Sequence, residues 1–124
     1  MPRRRAVVGP LLSRKARGAI ERACGEDELV ISSISAWEIA MRVRSERLVL
    51  TMETDTWLAT VAKIDGVRFA PVDAEIAARS ATLPGEFHKD PADRMIVATA
   101  RRFAAPLVTR DEKIRAYPHV KTVW

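Results

Sequence analysis

Short apolar runs rich in β-branched residues alternate along the chain with longer stretches of helical spacing, and this alternation limits the fold more than any other feature. "LVISS" (29–33), "VRFAPV" (67–72) and "PLVTR" (106–110) read as strands, with a last apolar stretch at "VKTVW" (120–124). Between them, 13–24, 34–46, 56–64, 73–83 and 91–103 have helical spacing, and "DEKIRAY" (111–117) is a short helical piece. "GEDE" (25–28) reads as a polar turn and "PGEFHKD" (84–90) as a loop. Strands separated by helices cannot pair as hairpins. They form a mainly parallel sheet covered by helices on both faces, an α/β domain.

At 124 residues the chain makes one domain with a core of ordinary size. A single cysteine, Cys24, excludes an internal disulfide and a cysteine-based zinc site, and fits a reducing, cytoplasmic setting. The apolar runs are too short to cross a bilayer. The net charge is +5, unevenly spread. Residues 1–22 carry seven Arg or Lys against Glu21, which leaves −1 for the rest. A basic end suits a polyanion such as nucleic acid, or is a solvated tail beside a basic helix face. Only seven residues are aromatic, too few for the stacking platforms of a single-strand binder.

The chemistry lies with three acids near the carboxyl ends of strands, where open α/β sheets place their sites. In "HKDPADRMIVATARRF" (88–103), Asp90 is an N-cap and Pro91 takes the first helical position. Asp93, Ile96, Val97 and Ala100 then share one face, which should be the buried one. Glu38 shares a face with Ile34, Trp37 and Met41, a pattern that predicts partial desolvation. Asp111 directly follows the 106–110 strand. Each acid also has a plain structural role open to it. Glu38 could pair with Arg42 or Arg94, Asp93 could serve the helix start, and Asp111 could cap the last helix. Convergence of all three would be harder to explain that way. Carboxylates about 4 Å apart repel by roughly 4 kcal/mol at an effective dielectric of 20. A proton or a hard cation relieves that, and an all-oxygen cluster favours Mg²⁺, with Mn²⁺ as the alternative, over zinc. Such an ion supports hydrolysis of a phosphodiester.

"ISSISAWEIAMRVRSERL", "LPGEFHKDPADRMIVATARRFAAPLVTRDEKIRAY" and "HVKTVW" closely resemble the PIN-domain toxins of VapC type, over about Leu11 to Trp124. The resemblance implies a three-layer α/β/α sandwich and a Mg²⁺-dependent endoribonuclease. It also implies an RNA substrate, a cognate antitoxin as partner, a homodimer, a cytoplasmic location and no membrane. By motif, Glu38, Asp93 and Asp111 match family acids that serve catalysis and metal binding. Thr109 matches the hydroxyl residue two places before the last acid, and Arg94 is expected in a structural role. His88 is expected to be incidental, and the residues that bind substrate are left unassigned.

The departure is at the amino end. The family begins with an apolar strand ending in Asp-Thr, whereas "MPRRRAVVGPLLSRKAR" has no acid. The sequence therefore predicts a basic arm over 1–10, a domain over 11–124, and a first strand that is missing or replaced, "AVVG" being a poor substitute. It leaves two functions open: an active ribonuclease toxin, or a weak or inactive relative that binds an antitoxin or dimer partner. The arm's charge is, on this expectation, an accident of where the reading frame starts.

Overall fold

The computed structural model describes residues 4–9 and 27–123. The expected helix at 13–24, Leu11 and Cys24 lie outside the described residues. Five parallel strands form one sheet: β1 (Arg4–Val8), β2 (Asp27–Ser32), β3 (Val67–Ala70), β4 (Leu107–Val108) and β5 (Thr122–Val123). Their order is β3-β2-β1-β4-β5. The described helices are α1 (Ser33–Arg44), α2 (Thr54–Ala62), α3 (Ala74–Ala81), α4 (Pro91–Arg102) and a single turn, α5 (Glu112–Arg115). None is long and apolar enough to cross a membrane.

The expected loss of the first strand is corrected. Residues 4–8, assigned in the sequence to a basic arm, are the middle strand of the sheet, with Val7 opposite Val30 and Leu107 and with Val8 opposite Ile31 and Val108. Three apolar residues suffice because the strand is buried on both faces. Val7 is fully buried, and each such Val or Ile contributes about 1.5–3 kcal/mol. The arginine before the apolar run is neutralised across the sheet. Arg5 Nε lies 3.3 Å from Glu28 Oε2, and its guanidinium sits over the Phe103 ring beside that of Arg68. Arg5 is thus part of the scaffold. The expected turn at 25–28 is corrected too, since Asp27 and Glu28 already belong to β2.

Alternate strand residues feed two separate cores, which is what makes three layers. Val7, Val30 and Leu107 pack with Ile76 of α3 and with Ile96 and Val97 of α4. Val8, Leu29 and Ile31 pack on the other face with Ile39 of α1 and with Trp57 and Val61 of α2. Side-chain caps fix where the helices start. Ser32 Oγ accepts from Ile34 N, Asp73 Oδ1 from Ile76 N, and Asp90 Oδ1 from Asp93 N. The strand order turns back at β1, so the crevice beyond the carboxyl ends of β1, β2 and β4 is the topological switch point.

Candidate active site

Glu38 reaches the switch point from the second turn of α1, Asp93 from the first turn of α4, and Asp111 from the cap position of α5. Glu38 feels the charge of Asp93. Burial, then the Asp93 and Asp90 charges, push the Glu38 carboxyl up to about 7 against a weaker pull from Arg42. Burial, then Asp90, raise Asp93 to about 6; His88 and Lys113 oppose the rise, and Asp111 adds to it. Two acids from separate elements therefore share one poorly solvated region, and a third stands close enough to Asp93 to be felt. Glu38 Oε1 is buried without a hydrogen-bond partner, an oxygen that needs a proton or a cation.

The rest of Asp111 is committed to structure. Its Oδ1 accepts from Lys113 N at 2.9 Å and Ile114 N at 3.2 Å, capping α5, and its own N–H donates to Thr109 Oγ1 at 3.0 Å. Thr109 is buried at the end of the β4 segment and acts as the post on which Asp111 is hung. Among the described residues Arg94 makes no bond to an acid. Its Nε donates to the Ser80 carbonyl at 2.8 Å, and Nη1 donates to the Phe87 and His88 carbonyls at 3.1 and 3.3 Å.

Two readings of the sequence change here. Glu38 is partly desolvated as expected, but the apolar neighbours on its face are not buried: Trp37 is 56 % and Met41 42 % exposed, while Ser35 and Ile39 point inward. Apolar residues occur all round this helix, so spacing alone could not choose the face. Glu38 is desolvated although those two neighbours are exposed. His88, expected to be incidental, places Nε2 3.1 Å from Asp93 Oδ2, close but off the line of a hydrogen bond. Its place five residues before Asp93 was a visible signal, but the loop conformation that closes the gap was not.

The donor set suits an open site for a hard cation. Among the described residues no three His, Cys, Asp or Glu side chains converge closely enough to enclose a metal ion. Mg²⁺ does not require that; it is commonly held by one or two carboxylates, keeping several waters and taking substrate phosphate oxygens. Glu38 and Asp93, with one orphaned oxygen between them, meet that description. A cleft of about 740 Å³ lined by Arg79, Arg101, His119 and Lys121 lies by Pro106, before β4, at the other end of the sheet. Its described lining is mainly basic and apolar.

The raised pKa values set a pH dependence. Both carboxyls hold a proton more tightly in the fold than in the unfolded chain. Their ionisation thus costs nothing below about pH 4 and destabilises the fold as pH rises through about 6 to 7. With solvent screening and coupling allowed for, the pair accounts for roughly 2 kcal/mol. The metal-free protein is expected to melt about 5 °C lower at pH 8 than at pH 5.5, and added Mg²⁺ to recover most of that at pH 8 only. Melts followed by circular dichroism with and without Mg²⁺ check this; equal Tm values in metal-free buffer at both pH values contradict it.

Comparison with known proteins matches residues 6–120 to the PIN domain. Ribonuclease VapC22 of Mycobacterium tuberculosis (strain ATCC 25618 / H37Rv) is 39 % identical over 115 residues, covering 91 % of this chain and 85 % of that protein. Among solved structures, a toxin–antitoxin complex from Klebsiella pneumoniae superposes with a TM-score of 0.65 at 20 % identity, covering 96 % of each chain. VapBC2 from Rickettsia felis, bound to a DNA fragment from its promoter, gives a TM-score of 0.67 at 15 % identity, covering 97 % of this chain and 98 % of that one.

Proposed function

The chain belongs to the PIN-domain family, and from that premise we propose that it is the ribonuclease toxin of a toxin–antitoxin pair, cleaving RNA by metal-assisted hydrolysis of a phosphodiester. The observation that carries the reading is the joint desolvation of Glu38 and Asp93 at the switch point of the sheet, within a chain 39 % identical to a ribonuclease. Glu38 and Asp93 would hold the divalent ion, Mg²⁺ or Mn²⁺, with Asp111 adding negative potential beside them. When bound, such an ion polarises a phosphoryl oxygen and lowers the pKa of water. Glu38 Oε1, buried and unpartnered, is an oxygen open to such an ion. Thr109 and Arg94 act at one remove, the first steadying Asp111 and the second the loop before α4.

The protein partner in this reading is a cognate antitoxin, with a homodimer as the assembly and the cytoplasm as the setting. Exposed Trp37, Met41 and Met52, at 56, 42 and 40 %, offer apolar surface to a protein partner. The test is incubation of purified protein with structured RNA in Mg²⁺ or in EDTA. Cleavage is expected with Mg²⁺ and absent with EDTA; cleavage that persists in EDTA overturns the mechanism. One observation favours a weak or inactive relative that works by binding: the middle strand is followed by Gly9, where the family resemblance calls for an acid. Growth arrest on expression, relieved by co-expressed antitoxin, would reject that second reading.

A further inference from the structure

The loop before α4 is tied down along its whole length. Tyr117 Oη donates to the Pro84 carbonyl. Gly85 has φ +68°, and a Cβ there would stand 3.2 Å from His119 Nε2. Arg94 takes both the Phe87 and the His88 carbonyls and anchors itself on the Ser80 carbonyl. The Phe87 ring packs on Tyr117, centroids 4.8 Å apart, and the His88 ring packs on Phe87 at 4.4 Å. These contacts come from α3, α4 and the segment after α5, and they leave His88 little freedom.

Their common outcome is the position of one nitrogen. His88 Nε2 is buried, has no hydrogen-bond partner, and lies 3.1 Å from Asp93 Oδ2. A buried polar atom without a partner is costly, and the contacts above hold it in place against that cost. Catalytic contacts are often long or poorly aligned before ligand binds and tighten afterwards. Partners of this kind orient carboxylate ligands, and their loss typically costs 10–100-fold in metal affinity.

We propose that His88 is a positioning residue: through Nε2 it holds Asp93 Oδ2 so that the carboxylate meets a divalent cation in a fixed orientation, and the clamped 84–88 loop exists to hold it there. This rests on the metal-assisted reading of the site. The test separates ring packing from the polar contact. His88→Phe keeps the ring against Phe87 and removes the nitrogen, whereas His88→Gln keeps a polar atom at similar reach and removes the ring. Mn²⁺ affinity is measured calorimetrically at one pH on folded protein without RNA, beside kcat and KM for RNA cleavage. H88F is expected to bind Mn²⁺ at least tenfold more weakly and to lose kcat with KM for RNA little changed; H88Q is expected to stay within about threefold of wild type. Wild-type affinity in H88F, equal weakness in H88F and H88Q, or no Mn²⁺ binding by the wild type overturns the proposal. Mn²⁺ binding that follows this pattern in a protein that cleaves no RNA supports the positioning role and rejects the ribonuclease reading instead.

Discussion

Asp93→Asn is expected to leave the protein folded and to lower RNA cleavage by about 10²–10⁴-fold. The substitution changes charge with almost no change in shape. The start of α4 is untouched, because its cap is Asp90 Oδ1 accepting the backbone N–H of residue 93, not a bond from the residue 93 side chain. What disappears is a carboxylate whose side chain is 13 % exposed and which is destabilised by Asp90 and Asp111. The metal-free variant should therefore melt at or above the wild-type temperature at pH 8, and part of the pH dependence of Tm should vanish with it. The Mg²⁺ stabilisation at pH 8 should shrink as well. Loss of activity with retained or improved stability is the signature of a functional acid, since a structural acid would lose both. Initial rates on a labelled RNA with saturating Mg²⁺, read beside the melts, decide the matter. Activity within threefold of wild type would remove Asp93 from the mechanism.

The parts of this site that are written locally were legible in the sequence. Asp90, Pro91 and the stripe of Ile96, Val97 and Ala100 fix the start and the inward face of α4 within a dozen residues, so Asp93 could be placed on it. Asp111 and Thr109 were likewise fixed by a strand end and a helix cap only two residues apart. What depends on partners far along the chain was not legible. The β1 strand has three apolar residues and an arginine whose counter-charge, Glu28, is 23 residues away, so nothing nearby marks it as the middle of a sheet. The inward face of α1 is selected by the β2 and α2 side chains around Ile39, because apolar residues occur all round the helix. His88 meets Asp93 only because Arg94 and Tyr117 close the loop, and Tyr117 is 33 residues from the carbonyl it holds.

Gly9→Asp, which would supply an acid at the end of the middle strand, is expected to destabilise the protein by about 2–4 kcal/mol and to lower cleavage rather than raise it. Gly9 N donates to the Val108 carbonyl at 2.8 Å, so β1 and β4 are drawn together where the site begins. A Cβ at this position would lie 2.8 Å from that same carbonyl oxygen, 2.9 Å from Thr109 Cβ and 3.1 Å from Thr109 Oγ1. Backbone and a buried β-branched residue cannot swing aside as the end of a flexible side chain can. Either the two strands part or Thr109 moves, and Asp111 moves with it, since its N–H is bonded to Thr109 Oγ1. A further carboxylate would also add repulsion to a region where Glu38 and Asp93 already titrate well above their usual range. Gly9→Ala isolates the steric part and should lower Tm by about 5–10 °C; Gly9→Asp should lower it further in metal-free buffer, and Mg²⁺ should recover only the electrostatic portion. A G9D protein that melts with the wild type would show that the strand ends can part without cost. If the melts fall as expected, the crevice is closed by shape on its β1 side, and a further carboxylate finds no room there.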